Sequence, residues 1–113
     1  MAYDEDLAYR IRELIGAQRG VVEKKMFGGL AFLVGGHMAI AASGKGGVLV
    51  RVAPHEFDHL VDTTKAEVAV MGGRPMTGWL RVAPEDLATK RQLALWVKLG
   101  MGYAGGLPAK PNR

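Results

Sequence analysis

The chain has 113 residues and a mass of 12.1 kDa, the length of one domain and long enough to enclose a core without covalent staples. Cysteine is absent, which excludes disulfides, zinc ribbons, iron–sulfur sites and cysteine nucleophiles together. Fifteen Lys and Arg against eleven Asp and Glu leave a net charge of +4, a mild excess that excludes a strongly basic, polyanion-coating protein.

The first predicted element is a helix. Leu7, Ile11, Leu14, Ile15 and Gln18 share one face, Asp4 stands where an N-cap belongs, and Glu5 with Asp6 set negative charge against the helix N-terminus. Gly16 and Gly20 mark its loosening. From Val21 to Ala53 the pattern becomes short apolar runs broken by glycines. Residues 30–34, 37–43 and 48–52 read as a three-stranded antiparallel meander turning at Gly35-Gly36 and at Gly44-Lys45-Gly46-Gly47. These runs are almost wholly apolar, so the sheet is expected to be covered in places on both faces.

Arg51-Val52-Ala53-Pro54 recurs as Arg81-Val82-Ala83-Pro84, and each reads as a strand passing into a proline at a first helical position. A short helix follows Pro54 and ends near Val61 or Asp62. Residues 66–71 and 76–82, joined through Gly72-Gly73, read as a second hairpin, with Pro75 tolerable only at a strand start or edge. Thr89 and Gln92 form a capping box for a last helix, whose buried face takes Leu93, Trp96, Val97, Gly100, Met101 and Ala104 before Gly105-Gly106 and Pro108 end it. The expected fold is therefore α+β: two layers, helices packed on an antiparallel sheet, in the order αβββαββα. Residues 1–113 are expected to form one domain, with 106–113 as a flexible tail.

Charge is evenly spread. Residues 1–57 hold seven bases and six acids, residues 58–113 eight and five, and the longest basic runs are Lys24-Lys25 and Lys90-Arg91. That pattern is a solvated surface, not a nucleic-acid face. No apolar run approaches the roughly 18 residues of a membrane span, and acids open the chain, so a cytoplasmic protein is expected.

His55-Glu56-Phe57-Asp58-His59 spells H-E-x-x-H, the spacing that puts two imidazoles on one helical face beside a carboxylate base in zinc hydrolases. Here Pro54 places it in the first turn of a short helix, and the only other imidazole, His37, lies on a strand. A zinc-dependent hydrolase with His55 and His59 as ligands and Glu56 as base is thus the alternative reading. Gly44-Lys45-Gly46 lacks the earlier glycine and the following Ser or Thr of a phosphate loop, and no dinucleotide fingerprint or serine-hydrolase elbow occurs. No cofactor is expected. The most individual segment is Lys24-Lys25-Met26-Phe27-Gly28-Gly29, where two bases precede a bulky apolar pair and two glycines. It reads either as a docking edge that presents Phe27, with Lys24 and Lys25 steering an acidic partner, or as a bent strand. Arg74-Pro75-Met76 and the following Thr77-Gly78-Trp79 have a similar shape.

Residues 24–41 (KKMFGGLAFLVGGHMAIA) and 73–87 (GRPMTGWLRVAPEDL) together resemble the N-terminal domain of the TfoX/Sxy family of bacterial competence regulators, and the resemblance extends over essentially the whole chain. It implies a two-layer α+β domain of the order read above. It also implies regulation in place of catalysis, through a protein partner such as the cyclic-AMP receptor protein, with no catalytic residue to carry over. Family regulators hold a second, helical domain after this one, and this sequence stops at Arg113. On this reading Lys24, Lys25, Met26, Phe27, Gly28, Gly29, Arg74 and Met76 are the candidate partner-binding residues, and a homodimer through a sheet edge or a methionine-bearing face is a second way to use them.

Overall fold

In the computed structural model, residues 3–16, 18, 20–26 and 28–108 are described. Helix α1 (Glu5–Ile15) leads into strands β1 (Val21–Met26), β2 (Gly29–Val34), β3 (His37–Ala42) and β4 (Val48–Arg51). Helix α2 (Pro54–Thr63), strands β5 (Glu67–Met71) and β6 (Arg74–Val82), a 3-10 turn at Pro84–Leu87 and helix α3 (Lys90–Gly106) complete the order. The fold is α+β, with the three helices and the three strands of the meander where the sequence placed them. One strand more, β1, joins the meander at its edge; its polar Glu23-Lys24-Lys25 centre hides it from an apolar-run reading. Gly106, read as the start of the tail, is the last residue of α3, and residues 109–113 lie outside the described residues.

The helix ends follow their chemistry. The Asp4 carboxylate accepts from the Asp6 and Leu7 amides, and Thr89 and Gln92 close a reciprocal capping box. Helix α2 has no side-chain cap; it starts at Pro54, whose missing N–H leaves one fewer donor to satisfy. The second Arg-Val-Ala-Pro leads only into the 3-10 turn, because a fresh helix is capped at Thr89 five residues on.

All strand pairs are antiparallel, in the order β1-β2-β3-β4-β6-β5. Gly35 and Gly36, at φ 57° and 85°, form the left-handed pair that a two-residue hairpin turn needs. Two cross-strand rows define the two faces, since directly paired residues point the same way. Phe32, Ile40, Val50, Leu80 and Val68 make a bulky apolar row beneath the helices. One residue along, Lys24, Ala31, Ala41, Leu49, Arg81 and Glu67 make the opposite row, small in the middle and charged at the ends.

Every buried helical residue packs into the first face. Helix α3 buries Leu93, Trp96, Val97, Gly100, Met101 and Ala104, the stripe its periodicity predicts. Gly100 lets the helix backbone rest on β3: a Cβ there would stand 2.4 Å from the Ala39 carbonyl oxygen. Arg10 on α1 ties this layer together by donating to the Leu87 carbonyl at 2.7 Å. An exposed ion pair, Arg12 to Glu23 at 2.6 Å, links α1 to β1.

The second face has its own apolar cluster, Ala31, Met38, Ala41, Leu49 and Ala69, with Met26, Leu33 and Trp79 packed around it and no helical residue in it. The expected burial of β2 and β3 on both faces is present, yet the second cover is the sheet itself. Pairing between β5 and β6 shifts between Val68 and Val70, so Val68 faces Leu80 while Val70 faces Pro75. The surplus residues of β6 bend the hairpin over the face. Gly78 takes φ 89° within this bulge and accepts a hydrogen bond from the Val52 amide at 2.8 Å. Pro75 lies beyond the stretch of β6 that pairs with β4, so its missing donor costs no bond to that strand.

Candidate functional site

The bend brings the two ends of the strand order to one place. Met26 and Gly29 flank the β1–β2 turn, Val70 and Gly72 belong to the β5–β6 hairpin, and both pairs line a single pocket of about 380 Å³ on the helix-free face. Six strands whose edges are far apart in the order thus curl into a half-barrel. The segments singled out in the sequence, Lys24 to Gly29 and Gly73 to Trp79, therefore converge through their turns.

Their residues play unequal parts. Gly28, at φ 77°, forms the turn, and Gly29 permits close packing, because a Cβ there would stand 2.2 Å from the Ala42 carbonyl oxygen. Both are accounted for by the backbone. Lys24 pairs with Ala31 and faces the open side, whereas Lys25 pairs with Leu30 and faces the helix side. Adjacent strand residues point oppositely, so the two lysines present their charges on opposite sides of the sheet edge. Arg74 is exposed and Met76 half-buried, both on the bent hairpin and outside the pocket lining. Phe27 lies outside the described residues.

The floor and walls of the pocket are apolar: Ala41 and Leu49 beneath, Met26, Met38 and Val70 around them. One end is polar. Ser43 Oγ accepts from Arg81 Nη1 at 3.0 Å and from the Lys45 amide at 3.1 Å. Sequence reasoning missed Ser43, Lys45 and Arg81. Ser43 was read as the end of a strand, Lys45 as part of a hairpin turn without the phosphate-loop pattern, and Arg81 as part of a repeated tetrapeptide; the signal lies in cross-strand register, which a single sequence does not display. At the far end of β4 from Ser43, the Arg51 guanidinium stands 5.3 Å from the ring centroids of both Trp79 and Tyr103, tying the open face to α3.

The H-E-x-x-H residues lie elsewhere, on α2. His55 and His59 are both exposed one turn apart, and Phe57 and Leu60 take the buried side. Among the described residues no group of three His, Asp or Glu is placed to hold a metal ion. His37 is engaged at the start of β3, with Nε2 2.7 Å from the Pro108 carbonyl oxygen. Among the described residues no helix is long and apolar enough to cross a membrane.

A curled antiparallel sheet with helices on one face and an open, pocketed face on the other defines a class of small α+β domain. The particular family follows from the sequence: the family model described as the TfoX N-terminal domain matches residues 13–104, and the chain belongs to that family. No curated protein and no solved structure matches the chain.

Proposed function

We propose that this chain is a non-enzymatic regulatory domain that works in the cytoplasm through a protein partner in transcriptional control, seated on the helix-free face of the sheet. The observation that carries the reading is the second apolar cluster, which has no layer of its own above it. The bent sheet encloses its members, but Val22 and Val70 at its margin are 60% and 54% exposed, apolar side chains left for a partner to cover. Lys24 at one end of its central row favours an acidic surface on the partner, with the gain falling on association rate more than on affinity, while at the other end Arg81 stands beside the exposed Glu67. The family resemblance supports a regulator over an enzyme, and the cyclic-AMP receptor protein is the first partner to try.

The test is a titration of the chain against that receptor, followed by light scattering. Val22→Glu and Val70→Glu alter side chains that are already exposed, so the fold should survive, and each should weaken binding by roughly tenfold or more. Tight binding that ignores both changes would move the interface off this face. An absence of binding, with a dimer that Val22→Glu dissolves, would make a second copy of the chain the partner.

A further inference from the structure

We propose that the pocket between the two hairpin turns is a binding site for a small aliphatic carboxylate, its chain on the methionine-walled floor and its anionic head at Arg81, Ser43 and Lys45. This goes beyond the partner reading and stands or falls without it.

The argument begins at Ser43. Its hydroxyl oxygen accepts two hydrogen bonds, from Arg81 Nη1 at 3.0 Å and from the Lys45 amide at 3.1 Å. A hydroxyl has two lone pairs and one proton, so both acceptor positions are filled and the proton is left to donate. It donates to no partner among the described residues. Arg81 is half-buried and makes no other hydrogen bond among them, which leaves most of its five donors unspent. Glu67 is its cross-strand neighbour, yet it is exposed and forms no ion pair with it; the one ion pair among the described residues is Arg12–Glu23. Lys45 adds an ammonium from the turn. This end of the pocket therefore offers donors and positive charge, with no carboxylate in the described lining. An acceptor-only, planar, bidentate group answers that chemistry best, and guanidinium with carboxylate is the pairing of matched geometry.

The remainder of the pocket fixes the other half of the ligand. The small side chain of Ala41 leaves room over the strands, while Met26 and Met38 supply flexible, unbranched surface and Leu49 an aliphatic floor. Methionine adapts to a flexible chain, and no aromatic ring is among the described lining residues for a planar ligand to stack on. A volume of about 380 Å³ falls at the lower end of small-ligand sites. The polar and apolar ends are continuous, as an amphipathic molecule requires.

Octanoate is the probe, with octanol and acetate as controls that lack the charge or the chain. Titration into the isotope-labelled chain, followed by amide NMR, should perturb residues around Met26, Met38, Leu49, Val70 and Arg81. Octanoate should bind at least tenfold tighter than either control. Arg81→Met should weaken octanoate roughly tenfold or more and leave octanol unchanged, while Arg81→Lys recovers part of the loss. Lys45→Met, on an exposed turn, should weaken octanoate by a smaller factor and gives a second reading should Arg81→Met disturb the fold. Equal affinity for octanol and octanoate would overturn the anionic subsite, and perturbations confined to other surfaces would overturn the pocket. No octanoate binding would end the proposal, with receptor binding by the same preparation keeping the partner reading intact.

Discussion

The two faces of the sheet are built from neighbouring residues of the same strands and are stabilised by opposite means. On one, Phe32, Ile40, Val50 and Leu80 are large, fully enclosed and roofed by helices. On the other, Ala31, Ala41 and Leu49 are enclosed because the sheet bends over them, and charged residues close the row. On the roofed face bulky strand residues and the helices fill the space between them at close-packed density. On the other, curling the sheet encloses the alanines while leaving space beside them. Burial on both sides of a strand thus does not require three layers, and the layer that is missing is where the pocket lies.

The strongest way to break this comparison is a pair of adjacent substitutions on β2. Phe32→Ala, on the roofed face, should cost about 3–5 kcal/mol in urea denaturation. Leu33→Ala, half-buried on the open face, should cost about 1 kcal/mol. Equal losses would mean that both faces are packed alike. The next pair sharpens the account of how α3 sits on the first face. Gly100→Ala should destabilise by roughly 1–3 kcal/mol, because its methyl group would meet the β3 backbone. Gly102→Ala, exposed two residues on with nothing within 4 Å of an added Cβ, should stabilise by up to about 1 kcal/mol. A cost at both positions would point to the helix itself and not to its seat on β3.

The smallest effect concerns the rim where α1 meets β1. The hydrogen-bonded Arg12 guanidinium holds the Glu23 carboxyl below the usual carboxylate range, and the same bond raises Arg12. Because the folded value is depressed, the contribution is present above the ordinary carboxylate range and is lost as pH falls through the folded value. Both side chains are substantially exposed, so the amount is within about 0.5 kcal/mol and shrinks further with salt. Glu23→Gln should remove that part of the acid dependence; an unchanged pH profile would show that the pair contributes nothing in solution.

Much of the fold was legible in residue patterns. The Asp4 cap, the Thr89–Gln92 box, the buried stripe of α3 and the Gly35-Gly36 turn are local, and local chemistry is what a sequence displays. Strand β1 was hidden because a strand at a sheet edge, with an ion pair on one side and a lysine on the other, has no apolar run to announce it. The candidate site was legible only in fragments. Met26, Gly28 and Gly29 drew attention, and the structure divides them between a pocket wall and a turn. Ser43, Lys45, Leu49 and Arg81 were not legible as a group, since they become neighbours only through register across β3, β4 and β6. Val70 and Gly72 reach the same pocket past a three-residue shift in the β5–β6 hairpin, which no local pattern records.

Each side of the sheet also has one of the chain's two tryptophans: Trp96 on α3, buried against the roofed face, and Trp79 on β6, half-buried beside Arg51 on the open side. The molecule therefore holds a built-in pair of fluorophores, one for each side of its sheet. Replacing either with phenylalanine leaves a single emitter, so loosening of the curl and melting of the helical roof can be followed as separate spectra. Coincident curves would make the half-barrel and its roof one cooperative unit, and an early red shift from Trp79 alone would reveal a sheet that opens while its helices stay in place.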